Sequence, residues 1–339
     1  MTTIKDIARV AGVSVTTVSR ALNGYSDVNE ETRKKIVEVA KQLNYSPNTL
    51  ARGLVMKKSK TIGLLVSGMN RENAKDNFTF QVLCGINECA SVREYDLILF
   101  NTDSSRQREK TYTQLCRERK VDGVIIQGIK LDDPYLKEVM ESNIPCVLVD
   151  IPVETKTVGY VSTDNVLGAK KAVEHLIELG HRNIAMVNGY KQAFVSQQRL
   201  KGYEKALKEH GIKVKKNWIV DGEFEEEKAK EVVLSLLSSA PDITAIFCAS
   251  DLMALGALKA CQQQGISVPH DLSIAGYDDI LLASYVTPPL TTVSQNIFEI
   301  GYEAADLLID MLEGKAQKHH RILETKLVQR KSSARIVNI

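Results

Sequence analysis

From Thr61 onward the chain repeats one pattern: a nearly continuous apolar run, a helical stretch, then another apolar run. The runs read TIGLLVS, DLILFN, VDGVIIQG, PCVLVD, GYVSTD, NIAMVNG, ITAIFCAS and LSIAGYDD. A strand with one wet face alternates apolar and polar residues, whereas a parallel strand covered on both faces does not. The helical stretches supply the crossovers that parallel strands require. One sheet holding all of these strands would be too wide. The expectation is therefore an α/β core of two doubly wound parallel-sheet subdomains. In such sheets ligands bind beyond the carboxyl ends of the strands, which places a site in the cleft between the subdomains.

Polar residues gather at those strand ends: Asp103, Asp164, Asn165, Ser250, Asp251, Asp278 and Asp279. Carboxylates combined with an arginine make paired contacts to neighbouring hydroxyls, and an aromatic ring covers the C–H face of a sugar. The chemistry suits a neutral, hydroxyl-rich ligand. Asp103, Asp164 and Asp251 could equally cap the helices that follow them.

The first sixty residues differ in kind. In IKDIARVAGVSVTTVSRAL, Ile4, Ile7, Ala8 and Ala11 form one apolar helical face. Thr3 is placed to cap that helix, Asp6 falls in its first turn, and Gly12 breaks it. Ser14 caps a second helix whose Val18 and Leu22 point inward. Small Ala8, turn-forming Gly12 and space-filling Val18 are what a helix-turn-helix needs. The outer face of the second helix holds Val15, Thr16, Ser19 and Arg20. Short side chains at a helix start approach base edges in a major groove, and arginine makes the bidentate contact to guanine. A third helix fits NEETRKKIVEVAKQLNY, capped by Asn29, with Ile36, Val39, Ala40 and Leu43 as its stripe. After it, SPNTLARGLVMKKSK offers a helix start at Pro47 and a short segment containing Gly53. Helices below about 12–15 residues are marginal alone, so this piece is expected to order only when docked.

Charge separates the two regions. Residues 1–60 carry eleven Lys/Arg against five Asp/Glu, whereas the whole chain is only +2. A basic head on a mildly acidic body points to a polyanionic partner for the head. No apolar run approaches the roughly 20 residues of a membrane span. The opening MTTIKDIARV shows no basic-then-apolar leader, so a cytoplasmic protein is expected. The six cysteines form no CxxC pair and read as buried, reduced thiols. There is no GxSxG elbow, no Walker loop, no GxGxxG turn and no metal-ligand histidine spacing, and His319 and His320 are merely adjacent. An enzyme on this scaffold is thus disfavoured, and neither metal nor cofactor is expected. A transport binding protein with the same core would need a leader and no DNA head, the opposite of this chain.

TIKDIARVAGVSVTTVSRALNG, VNEETRKKIVEVAKQLNYSPN and LARGL resemble the head and hinge of the lactose/galactose-repressor (LacI/GalR) family. The likeness continues through IPCVLVD, AVEHLIELGHRNIAMVNG, RLKGYEKAL, ASDLMALGALKA, DLSIAGYDD and PPLTTVSQ, nearly the whole chain. It implies a small all-α helix-turn-helix head on a periplasmic-binding-protein-like core. The implied division is a head at 1–46, a hinge at 47–59 and a core at 60–339. Within that core the N-subdomain covers about 60–161 and 291–322, and the C-subdomain about 162–290 and 323–339. The implied function is repression of a carbohydrate-utilisation operon, controlled by a small sugar in the cleft.

By the same resemblance, Val15, Thr16 and Arg20 read bases of a near-palindromic double-stranded operator. Thr3, Ser14, Thr17, Asn23 and Asn29 meet phosphates. Asn48 and Ala51 lie in the minor groove beside Leu54, which wedges between base pairs. Arg199 and Asp278 form the main effector pair, Phe224 the stacking plate, and Phe78, Thr79, Asp164, Ser250 and Gln295 further contacts. Ala193 and Val195 are apolar where some relatives place polar or charged contacts, which weakens a purine reading. The stretch SGMNRENAKDN, at 67–77, is longer than usual for the family. Chain crossings between subdomains are expected near 161, 290 and 322. No leucine heptad follows Gln329, so the expectation is a homodimer. Some relatives answer chiefly to a phosphorylated carrier protein, and that trigger is the alternative to a sugar.

Overall fold

The computed structural model describes residues 2–23, 25–45, 59–67, 77–102, 110–133 and 135–336. Residues 1–60 form one compact unit and residues 61–339 another. The hinge residues Asn48, Ala51 and Leu54, most of the 67–77 stretch and Asp103 lie outside the described residues.

In the first unit three helices, α1 (Ile4–Ala11), α2 (Val15–Leu22) and α3 (Glu30–Gln42), enclose a small core. Local chemistry sets each boundary. The Asp6 carboxylate accepts from the Thr3 N–H at 3.0 Å and from the Thr3 hydroxyl at 2.8 Å. Those bonds hold the Asp6 carboxyl below its ordinary range. Gly12 ends α1 at φ 69, a left-handed conformation that a side chain resists. Ser14 accepts from the Thr17 N–H at 3.0 Å, and Asn29 from the Glu31 N–H at 2.8 Å. Ile7, Ala8, Ala11, Val18, Ala21, Val28, Ile36, Val39 and Ala40 are buried together, with Leu22 and Leu43 packed at the rim.

The second unit holds a six-stranded sheet in the order β11-β5-β4-β3-β1-β2 and a four-stranded sheet in the order β7-β6-β8-β9. The first is built from β1 (Thr61–Ser67), β2 (Asp96–Thr102), β3 (Gly123–Gln127), β4 (Cys146–Val149), β5 (Val158–Thr163) and β11 (His320–Leu323). The second is built from β6 (Ile184–Asn188), β7 (Ile219–Asp221), β8 (Ala245–Cys248) and β9 (Ser273–Ala275). Every pairing within both is parallel. An antiparallel pair, β10 (Thr292–Ser294) with β12 (Lys326–Val328), joins them. All eight apolar runs are strands. The strands that periodicity did not reveal, β7, β10, β11 and β12, are three or four residues long, too short to carry a period.

Helices cover the sheets: α4 (Phe78–Val92), α5 (Tyr112–Arg119), α6 (Leu136–Glu141), α7 (Asn165–Glu178), α8 (Phe194–Glu209), α9 (Glu226–Ser239), α10 (Asp251–Gln264), α11 (Leu281–Tyr285) and α12 (Ile297–Glu313). The chain leaves the larger sheet between β5 and α7, returns through β10 into α12, and crosses again between β11 and β12. No helix among the described residues is long and apolar enough to cross a membrane.

The last described segment straps the smaller sheet. Ser332 donates to the Ile274 carbonyl at 2.6 Å, and the Ile336 N–H donates to Leu179 at 2.9 Å. Two histidines hold the same strap. His175 Nε2 meets the Ser333 hydroxyl at 2.9 Å, and His181 Nε2 meets the Ala334 carbonyl at 3.0 Å. A carbonyl only accepts, so His181 carries its proton on Nε2, leaving Nδ1 to accept from Thr244 at 3.0 Å. Burial lowers both imidazole pKa values from 6.5, opposed at His175 by Glu178 and at His181 by the bond to Ala334. A depressed histidine contributes stability that is present above its unfolded value and lost as pH falls through its folded value. Stability should therefore drop below pH 6.5, by up to about 1.4 kcal/mol per pH unit for each ring. Denaturant titrations at pH 7.5 and 5.5 measure this. The double variant His175→Gln/His181→Gln should lose less stability than the parent over that span, and an equal loss in both would refute the assignment.

Candidate functional sites

In the first unit Val15, Thr16 and Arg20 lie on the outer side of α2, and Val15 and Arg20 are among its exposed side chains. Ser14 and Thr17 sit at the start of α2, with their hydroxyls 2.8 Å apart. Asn23 closes α2, and Thr3 and Asn29 precede α1 and α3. Thr3, Ser14, Thr17 and Asn29 therefore surround helix starts, where free N–H groups and the helix dipole favour phosphate, whereas Asn23 lies at the opposite end of α2 and can offer only its side-chain amide.

In the second unit the carboxyl ends of both sheets face one cavity of about 720 Å³. Gln127 comes from the end of β3, Asp150 from β4, Tyr190 from β6, Phe224 from the turn after β7, Ser250 from β8 and Asp278 from β9. Phe78 and Thr79 enter from the start of α4, and Ala193, Val195 and Arg199 from α8 and its cap. Several of these residues hold left-handed backbone: Asp150 at φ 62, Phe224 at φ 59 and Asp278 at φ 112. Such conformations persist only where the surroundings enforce them, and they concentrate at binding sites.

The base of the cavity is an ion pair. Arg199 Nη1 lies 3.2 Å from Asp278 Oδ1, and the arginine side chain is only 3% exposed. Its Nε donates to Asn165 at 2.9 Å, and Nη1 also donates to the Ala249 carbonyl at 2.6 Å. The guanidinium lies 3.8 Å from the Tyr277 ring centre. Asp278 accepts from Gln295 Nε2 at 2.7 Å, and Gln295 Oε1 accepts from the Thr163 hydroxyl at 3.0 Å. Burial pushes the Asp150 carboxyl up, against the Ser162 hydroxyl at 2.6 Å and the nearby Arg199 charge. Burial, and then the Asp278 charge, pushes Asp251 well up. Asp251 does not line the cavity; it accepts from Thr292 and from the Ile280 N–H beneath it.

The walls mix rings with polar groups. Phe224 meets Tyr190 edge to face at 5.2 Å. Gln127 donates to Thr79 at 3.1 Å, while its buried Oε1 has no hydrogen-bond partner among the described residues. At the mouth, Lys130 Nζ sits 4.9 Å from the Tyr190 ring centre, and the Leu131 N–H donates across to Gln192 at 3.3 Å.

Of the residues expected at this site, Phe78, Thr79, Arg199, Phe224, Ser250 and Asp278 line the cavity. Asp164 does not: it is exposed and caps α7 by accepting from the Leu167 N–H at 2.9 Å. Gln295 is fully buried behind Asp278 rather than lining the wall. Sequence reading missed Gln127, Lys130, Asp150, Tyr190 and Glu223, which also line it. Gln127 is the penultimate residue of VDGVIIQG, Asp150 ends PCVLVD and Tyr190 follows NIAMVNG, so the strand-end rule could have found these three. No group of three or more His, Cys, Asp or Glu among the described residues could hold a metal ion.

Residues 3–48 match the model for bacterial regulatory proteins of the lacI family, and residues 173–333 match a periplasmic binding protein-like domain. The chain is 36% identical over 335 residues to the HTH-type transcriptional repressor PurR of Photobacterium profundum, covering 98% of each. It is 36% identical over 334 residues to the ribose operon repressor of Haemophilus influenzae, again covering 98% of each. A solved lac repressor dimer, bound to operator and the anti-inducer ONPF, superposes with a TM-score of 0.83. That match has 29% identity and covers 98% of this chain and 99% of that one.

Proposed function

This chain belongs to the LacI family of bacterial regulatory proteins, and from that premise we propose that it represses a carbohydrate-utilisation operon under control of an uncharged sugar. Val15, Thr16 and Arg20 read the major groove. Thr3, Ser14, Thr17, Asn23 and Asn29 hold phosphates, and Asn48, Ala51 and Leu54 engage the minor groove. The protein works by binding rather than catalysis, in the cytoplasm and on the nucleoid. Two copies bind a near-palindromic site, because a two-fold dimer presents two identical readers. The exposed apolar side chains Leu281, Leu282 and Tyr285 on α11 are a surface for that pairing.

The observation that carries the reading is the chain Arg199–Asp278–Gln295–Thr163. Its first two members touch the cavity. Its last two stand where the polypeptide crosses between the sheets, Thr163 at the end of β5 and Gln295 after β10. A ligand hydroxyl that bonds Asp278 bonds the same carboxylate that Gln295 holds. Binding in the cavity thereby acts on the crossing segments, and the ligand shifts the balance between two subdomain arrangements according to its different affinity for each.

The cavity favours a neutral sugar. Gln127 Oε1 offers an unused acceptor to a hydroxyl, and Phe224 and Tyr190 supply ring surface. Among the described lining residues Asp150, Glu223, Glu225 and Asp278 outnumber Lys130 and Arg199, so a phosphate or carboxylate meets net repulsion from them.

Fluorescence anisotropy tests this, using operator selected from random duplexes and a panel of neutral sugars, sugar phosphates and purines. A neutral mono- or disaccharide should change operator affinity by about 5- to 150-fold. Asp278→Ala should abolish that response while operator binding persists. A response to purines or sugar phosphates alone would sink the proposal.

A further inference from the structure

Arg20 occupies the last turn of α2, and the turn that follows brings Tyr25 and Asp27 back to it. That turn is tied on three sides. The Tyr25 N–H donates to the Arg20 carbonyl at 3.1 Å, Arg33 of α3 donates to the Tyr25 carbonyl at 2.6 Å, and Val28 is buried in the core. On this braced turn Asp27 grips the guanidinium from the side. Nε donates to Oδ1 at 3.1 Å, and Nη2 lies 2.6 Å from Oδ2. The guanidinium carbon lies 4.9 Å from the Tyr25 ring centre.

The orientation of this pair matters more than its strength. The two side chains are 45% and 54% exposed, so the pair adds little to folding stability. Side-on pairing uses Nε–H and one Nη2 hydrogen. The far edge of the guanidinium, Nη1 and the other Nη2 hydrogen, stays outside the pair. That edge presents two parallel donors, the fork that matches O6 and N7 of guanine. A free arginine on a helix surface samples many rotamers and loses that freedom on docking. A guanidinium already held at one edge and against one ring face loses less.

We propose that Asp27 and Tyr25 clamp Arg20 for end-on recognition of a guanine, making Asp27 a positioning residue for sequence specificity although it touches no base. This rests on the reading of Arg20 as a base-reading residue. The competing role is repressive: a carboxylate that merely occupies Arg20 and repels the nucleic acid. The two roles predict opposite results, because a positioning residue improves discrimination and a competitor weakens all binding alike.

The full-length protein is titrated with operator selected from random duplexes and with each single-base variant of that operator. Arg20→Ala should lose about tenfold of the discrimination at one guanine in each half-site. Asp27→Ala should lose about threefold or more at that same guanine and nothing elsewhere, with Asp27→Glu keeping part of it. In an Arg20→Ala background, Asp27→Ala should have no further effect on discrimination. Thermal melting should be unchanged by Asp27→Ala, which separates positioning from a folding defect. The clamp is overturned if Asp27→Ala strengthens binding to every duplex by one factor with discrimination intact, or if its effect survives in the Arg20→Ala background. If Arg20→Ala leaves discrimination intact at every position, the base-reading role itself falls and the clamp falls with it.

Discussion

Replacing Arg199 with methionine is expected to destabilise the core by about 3–5 kcal/mol and to abolish ligand control of DNA binding. The residue is 3% exposed and ion-paired to Asp278. Methionine removes that pair and the donors to Asn165 and the Ala249 carbonyl, and with them the cation over Tyr277. Asp278 then keeps the Gln295 amide at 2.7 Å but faces Asp251 without a neighbouring guanidinium. A buried carboxylate that has lost its cation is the costly part, more than the lost bonds. A second substitution separates the two contributions. Adding Asp278→Asn removes the stranded charge and should restore part of the stability, but none of the ligand response.

The pH dependence follows the same logic. Burial already holds the Asp150 carboxyl up, and Arg199 opposes that shift. Without the arginine, the carboxyl rises further, and protonation removes a buried charge that has lost its cation. The penalty of Arg199→Met should thus be smaller at pH 5 than at pH 8. Denaturant midpoints at the two pH values, with operator anisotropy in the presence of the effective sugar, measure both effects. A variant as stable and as responsive as the parent would remove Arg199 from the centre of the site.

How far the sequence reaches is set by how local the determining physics is. The caps Ser14 and Asn29 and the break at Gly12 are decided within a few residues, and the sequence shows them directly. The long apolar strands are similarly plain, because burial on both faces leaves its mark on composition. The strand β7 depends on pairing with β6, not on its own three residues. The cavity is harder still. Asp278 stands out at a strand end, but its pairing with Arg199 comes from the family likeness, because residues 79 positions apart reveal no contact by spacing. Asp164 shows the limit of that transfer: its carboxylate is spent on the α7 cap, which its place before NVLGAKKAV also predicts. The Arg20–Asp27 pair is invisible for another reason. The two are seven residues apart across a turn, outside the spacing at which helical neighbours are sought.

The second large effect concerns a helix crossing rather than a charge. α4 and α12 approach through reciprocal glycines. A Cβ on Gly85 would lie 2.0 Å from the Phe298 carbonyl oxygen, and one on Gly301 would lie 2.1 Å from that of Val82. Each helix thus presses its backbone into the gap left by the other's missing side chain. Backbone cannot rotate aside as a long side chain does, so Gly301→Ala should already force the helices apart and cost about 3 kcal/mol. Gly301→Val should add little, because the collision is with Cβ itself. That near-equality distinguishes this mechanism from ordinary overpacking, in which the damage grows with side-chain volume. The displacement also reaches the cavity. α4 begins with Phe78 and Thr79, which line it, and Thr79 is held by Gln127 from β3. Sugar affinity should therefore fall in Gly301→Ala even at temperatures where the protein stays folded. Denaturant titration and direct sugar binding check the two halves. A tolerated alanine with an intact cavity would mean that the helices yield freely and do not fix the wall of the site.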